Sequence, residues 1–344
     1  MFNIFMCVYL TLMNIYYSIK RESWDSALIR LTSSYNLFAA VDNGYGLDYE
    51  IVDSRNISAI AYNKPKPATP LKTFFLPVRE NVTAEIDSEK PRIIIGSPNC
   101  DVEALSLLDE LYLDKSFEDV FYRNKRDNTI LISSDCFDIQ DHCHCISYNI
   151  DPYSTSKGDL AVILRKDQIM LRVVSEKGEG FVKNKLDAVP LTDRSEIASV
   201  ENRQRETVEI LRRTGKGLPD YKTTGSLVKR ADKTIWQKYS ARCVSCGACT
   251  AICPTCTCFL LIDKPGFHKV KQMDACQYPG FERVAGGEDA LVHLAQRFRN
   301  RYMCKYVWKP SKFKGIACTG CGRCIEACIG KISKNELFME LAKS

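Results

Sequence analysis

The chain is poor in histidine, with four residues in 344. None stands at ligand spacing with carboxylates, which argues against a catalytic hydrolase centre. There is no G-x-G-x-x-G after a strand and no G-x-x-x-x-G-K-[ST], so neither a dinucleotide fold nor a P-loop is expected. The net charge of +6 is not gathered into a basic block. That spread argues against a nucleic-acid binder and leaves only a mild preference for an acidic partner. No low-complexity tract interrupts the chain, and no run is long enough for a membrane span. The uncharged opening, MFNIFMCVYLTLMNIYY, is short for a span and lacks the basic n-region and small-residue cleavage site of a signal peptide. Residues 1–12 are therefore read as a doubtful leader before a start at Met13. What remains has an ordinary soluble composition, 26% charged and 45% hydrophobic.

What the chain has is cysteine, 17 residues of it. Disulfide frameworks belong to small, loop-rich secreted chains, and this chain is long. Most of its cysteines lie two or three residues apart, which suits metal ligation better than long-range crosslinks. The expected setting is a reducing, cytoplasmic compartment in an anaerobic metabolism.

Two segments carry the strongest pattern. "CVSCGACTAICP" (243–254) and "CTGCGRCIEACI" (318–329) each have the spacing C-x2-C-x2-C-x3-C. In such a loop the first three cysteines wrap one cubane, and the fourth, one helical turn on, faces the other cluster. Gly247, Gly320 and Gly322 supply the positive φ and close backbone approach that the loop needs. The expected ligands are Cys243, Cys246, Cys249 and Cys328 for one [4Fe–4S] cluster, and Cys318, Cys321, Cys324 and Cys253 for the other. Two structural zinc sites are the competing reading, but those usually combine C-x2-C pairs rather than triplets with a trailing cysteine. The long insert 257–312 contains "GGEDALVHLAQRFRNRYMCKYVW", which reads as helix throughout. The predicted C-terminal unit, 235–344, is thus a helical dicluster ferredoxin-like domain.

Residues 13–182 read as an α/β domain, and 183–234 as a charged helical linker broken at "TGKGLPD". In the first of these, "RIIIG" (92–96), "DVEALSLLDELYL" (101–113) and "TILIS" (129–133) form strand, helix and strand, a βαβ unit with parallel strands. "LAVILR" and "QIMLRVV" extend the sheet as a hairpin. Cys100 precedes the helix, with Asp101 expected as its N-cap. Cys136 follows the next strand, so both lie past the carboxyl ends of neighbouring parallel strands, where α/β sheets carry their sites. Cys143 and Cys145 follow in the same loop. These four thiols predict a third [4Fe–4S] cluster, against the alternative of unligated buried thiols. His142 and His144 flank Cys143 and are read as solvated loop residues, with a substitute ligand as the alternative.

The motifs and their surroundings also resemble a known family. "SARCVSCGACTAICPTCTCF", "GFERVAGG", "QRFRNRYMCKY" and "CTGCGRC", with "LKTFFLPVREN", "GSPNCDVEAL" and "SSDCFDIQDHCHCIS" upstream, resemble the beta subunit of cytoplasmic sulfhydrogenase-type nickel–iron hydrogenases and, equally, the corresponding iron–sulfur subunit of anaerobic sulfite reductase. The resemblance covers nearly everything after Met13. It implies an iron–sulfur electron-transfer subunit, not catalytic alone, that passes electrons between a flavin-bearing partner and a catalytic subunit. The alternative is a sulfur- or polysulfide-reducing enzyme that uses the N-terminal cluster. Two positions depart from the family: Ile329 follows Cys328 where proline is usual, and Cys304 stands where histidine is usual. Cysteine and histidine are interchangeable mainly as metal ligands. With Cys256, Cys258 and Cys276, Cys304 is therefore expected to hold one further centre, zinc or iron–sulfur.

Overall fold

A computed structural model of the chain describes residues 15–64, 66–85 and 90–343, so the doubtful leader lies outside the described residues. The strands are β1 (Tyr16–Lys20), β2 (Asn36–Asp42), β3 (Leu47–Ile51), β4 (Arg79–Asn81), β5 (Arg92–Pro98), β6 (Thr129–Ser134), β7 (Leu160–Arg165), β8 (Gln168–Val173), β9 (Val189–Pro190), β10 (Phe259–Lys264) and β11 (His268–Met273). Eight of them form one sheet in the order β3-β2-β5-β6-β7-β8-β1-β9. Strands β2, β5, β6 and β7 run parallel, and the flanking pairs are antiparallel.

The centre of the sheet falls where the sequence is most continuously apolar. In β5, Ile93, Ile94 and Ile95 are all buried and register against Ile130, Leu131 and Ile132 of β6. Strands covered on both faces need no polar alternation. One face packs on Trp24, Leu28 and Phe181, the other on Leu71, Phe75, Val102 and Leu105. The β5–β6 register shifts between Ile95 and Ser97, where Gly96 takes a φ of +89°. This irregularity re-aims the strand end just before helix Asn99–Tyr112.

The charged segment 183–234 contains helices Arg194–Thr214 and Tyr221–Arg230, with a third, Lys233–Ser240, beginning at its end. The first lays a stripe of Val200, Gln204, Thr207 and Leu211 on the body, at helical spacing. Leu227, Val228 and Trp236 join Phe298, Tyr302, Tyr306 and Phe338 in an apolar cluster that also takes Tyr148 from the sheet half.

The insert departs from expectation. It opens with a hairpin, β10–β11, whose second strand pairs with β4 of the N-terminal half to make a three-stranded antiparallel sheet. The helix begins only at Leu294 and continues through a π-helical turn, Cys304–Trp308. Upstream, Gly287 has a φ of +86°, and Asp289 accepts the N–H groups of Gly280 and Leu291, so the chain turns there instead. The frame around the dicluster motifs is thus mixed rather than wholly helical.

Candidate metal centres

Three hollows lined by thiols account for twelve cysteines. Cys243, Cys246, Cys249 and Cys328 line the first. Cys253, Cys318, Cys321 and Cys324 line the second. Cys100, Cys136, Cys143 and Cys145 line the third. Each trailing cysteine therefore faces the hollow of the opposite motif. The hollows also share walls: Cys324, Arg301 and Lys334 border the first and second, while Gly320 and Cys321 border the second and third. They stand in series, with the second in the middle.

Local backbone geometry explains how each motif presents its sulfurs. Ser245 and Gly320, at matching places, have φ of +53° and +65°. Each turns its N–H onto the sulfur two residues back, Cys243 and Cys318. Gly247 and Gly322, also at positive φ, then start the short helices Ala248–Ala251 and Arg323–Glu326. Over the second motif lies the 142–145 loop. His144 N–H donates to Gly320 O at 2.9 Å, and a Cβ added at Gly320 or Gly322 would sit 2.5 Å from His144 O or 2.4 Å from His142 O.

Asp101 is not the helix N-cap; Pro98 holds that position, and Cys100 lies in the first helical turn. Asp101 is instead wholly buried and pairs with Arg323 of the second motif, at 2.8 Å from Nη2. An unpaired carboxylate there would be costly, and the guanidinium is the partner that makes its burial tolerable. This pair ties the turn that carries Cys100 to the loop that carries Cys321 and Cys324.

His144 is likewise no solvated residue: it is 2% exposed. Its Nδ1 lies 2.6 Å from His142 O and its Nε2 2.8 Å from Lys334 Nζ. Burial, reinforced by the Lys334 charge, pushes its pKa well below the usual range, so the imidazole is neutral and Nε2 accepts.

Buried cations collar the hollows. Lys305, Lys334 and Arg301 face the second, and Lys66, with Nζ 3.6 Å from Cys143 Sγ, faces the third. Burial alone would discharge Lys305. The Cys253, Cys256 and Cys318 sulfurs outweigh it and raise its pKa. Half of the twelve thiols resist ionisation, whereas Cys253 and Cys318 are shifted toward the thiolate. Burial raises Cys100 and Cys136 strongly and takes Cys145 and Cys321 up to about 12. Such sulfurs need a cationic core to become thiolates.

The donor sets fit [4Fe–4S] cubanes: four cysteines around each hollow, glycine loops that leave room, and cations to offset an anionic cluster. Among the described residues no three or more His, Cys, Asp or Glu side chains converge as a single ion requires.

The remaining thiols fall differently. Cys258 hydrogen-bonds Cys276, and Cys256 hydrogen-bonds Cys253. Cys304 is half-buried at the head of the π-helical turn. Sequence reasoning missed His144, Lys305, Lys334 and Arg323. Only Arg323, inside a motif, carried a signal in its position.

These features define an iron–sulfur protein with a 4Fe-4S dicluster domain, and residues 242–332 match the family of that description. Over 339 residues, 95% of this chain and 98% of the relative, the sequence is 25% identical to sulfhydrogenase 2 subunit beta of Pyrococcus furiosus. The chain is thus similar, over nearly its whole length, to a sulfhydrogenase beta subunit.

Proposed function

We propose that the chain is an electron-relay subunit of a multi-subunit oxidoreductase of the hydrogenase or sulfur-reductase kind, carrying three [4Fe–4S] clusters in series. The observation that supports it is the row of three four-cysteine hollows with shared walls. Shared walls keep cluster-to-cluster gaps short, and burial, hydrogen bonds and neighbouring charge set the potentials.

On this reading the first cluster is a terminal one. Cys246 is exposed, and Val244 and Ile329 nearby are 60% and 68% exposed. The partner that exchanges electrons with the relay, a flavin-bearing or a catalytic subunit, docks there. No helix among the described residues is long and apolar enough to cross a membrane. Sulfur reduction at the third cluster is disfavoured, since the four cysteines around that hollow would supply one thiolate to each iron of a cluster held there.

The test is metal content after anaerobic reconstitution of the full chain. Three clusters give about twelve irons per chain, and Cys136→Ser should lower this to about eight. An unchanged iron count in that variant would remove the third cluster from the relay. The full chain is the right material, because Gly320 and Cys321 complete the third hollow.

A further inference from the structure

Beyond the twelve thiols of the hollows, Cys258 and Cys276 stand at the root of the β10–β11 hairpin. Asp274 N–H donates to Cys258 O at 2.9 Å, which continues the Phe259–Met273 register and brings the two ends together. The two sulfurs are within hydrogen-bonding contact. Cys276 is buried and Cys258 half-buried.

This placement lies between the dicluster motifs. Cys276 Sγ is 3.8 Å from the hydroxyl of Thr250, the residue after Cys249. On the other side, Cys256 hydrogen-bonds Cys253, a wall of the second hollow. Cysteines used as small hydrophobes need no polar company. Cys276 has it: Gln277 Nε2 stands at 3.7 Å, and the Arg301 charge is near. The hydrogen bond from Cys258 is the largest influence that lowers the Cys276 pKa to about 6. The Cys258 thiol thus donates toward a Cys276 sulfur whose thiolate form is favoured, the arrangement of an attacking and a resolving cysteine.

We propose that Cys258 and Cys276 form a redox-active dithiol–disulfide couple that exchanges electrons with the first and second clusters. The proposal rests on the cluster-bearing reading above. Closing the couple joins the two sulfurs in one S–S bond. The electron pair leaves as two single electrons, one to each of two oxidised clusters, and the one thiol proton leaves to solvent on the half-buried Cys258 side. Opening reverses every step: two reduced clusters give one electron each, the S–S bond breaks, and one proton returns to Cys258. The couple joins one-electron carriers to two-electron thiol chemistry.

The experiment uses the reconstituted full chain, poised anaerobically at a series of potentials, quenched with iodoacetamide and mapped by mass spectrometry. As the potential rises, Cys258 and Cys276 should lose alkylation together, and a disulfide-linked pair of their peptides should appear. Cys258→Ser and Cys276→Ser should each abolish that pair and remove two electrons from the reductive titration. Both should keep about twelve irons and unchanged cluster EPR signals. Full alkylation of both thiols at every potential would overturn the proposal. So would loss of about four irons in Cys276→Ser, or stoichiometric zinc in the parent, which would make these thiols metal ligands. Iron content reports on the clusters and alkylation on the thiols, so a failed relay and a failed couple are told apart.

Discussion

The two cysteine motifs share a spacing and differ in almost everything around it. In the first, Cys246 is exposed, and the Gly247 position faces the half-exposed ring of Tyr278. In the second, Thr319 and Arg323 are buried, the 142–145 loop lies on Gly320 and Gly322, and the Arg323–Asp101 pair clamps it to the sheet half. Spacing decides which iron a sulfur can reach. On the proposed relay, what packs over the loop separates the terminal cluster from the middle one. The difference shows at one residue: the second motif has Gly320, with the backbone of His144 and Cys145 pressed against it, where the first has Ser245.

The largest effect should come from exchanging the trailing cysteines. Cys328 lines the first hollow and Cys253 the second, each opposite its own loop. Cys328→Ala should lose the cluster held by Cys243, Cys246 and Cys249, about four irons, and reproduce the EPR spectrum of Cys243→Ala. Cys253→Ala should reproduce that of Cys318→Ala. The reverse match would mean that each motif closes its own cluster, and the series arrangement would fail with it.

A smaller but still severe contrast separates the glycines. Gly320→Ala and Gly322→Ala would drive a Cβ into loop backbone at 2.5 and 2.4 Å. Backbone cannot yield as a side chain can, and overpacking with positive-φ strain adds up to about 2–5 kcal/mol. Gly247→Ala would meet the Tyr278 ring at 2.7 Å, a side chain able to swing outward, leaving about 1–2 kcal/mol of backbone strain. Cluster loss under a chelator, followed by absorbance, should therefore be much faster in the 320 and 322 variants. Equal rates would show that the covering loop yields freely.

The sequence made one part of this site easy to read and another nearly invisible. Ligand spacing is local, so the eight ferredoxin-type cysteines could be grouped by motif geometry alone. Cys100 and Cys136 followed from strand ends, because β5 and β6 announce themselves as apolar runs. The cations could not be found that way. Lys305 and Lys334 sit on helices where lysine is ordinary, and only tertiary packing turns them inward. His144 looked like a loop residue because nothing local says that Lys334, 190 positions away, will donate to it. Asp101 had the position of a cap and serves as a counter-ion. The hairpin was missed although Pro265 and Gly266 mark its turn, since the helical stretch downstream set the expectation for the whole insert.

The smallest effect tests the same comparison from its permissive side. Ser245 holds a φ of +53°, a conformation that costs an L-residue about 1–2 kcal/mol and a glycine little. Its N–H, directed at the Cys243 sulfur, belongs to the backbone and survives substitution. Ser245→Gly therefore removes strain and keeps that hydrogen bond, while the greater freedom of glycine in the unfolded chain takes back about 0.4–1 kcal/mol. The balance is a gain of roughly 0.5 kcal/mol, or a Tm higher by about 1–2 °C in anaerobic thermal denaturation. The converse, Gly320→Ser, should destabilise as severely as Gly320→Ala, because the loop and not the dihedral sets its cost. A marked drop in Tm for Ser245→Gly would show that the Ser245 hydroxyl holds the first loop, and that the two motifs differ there by more than what covers them.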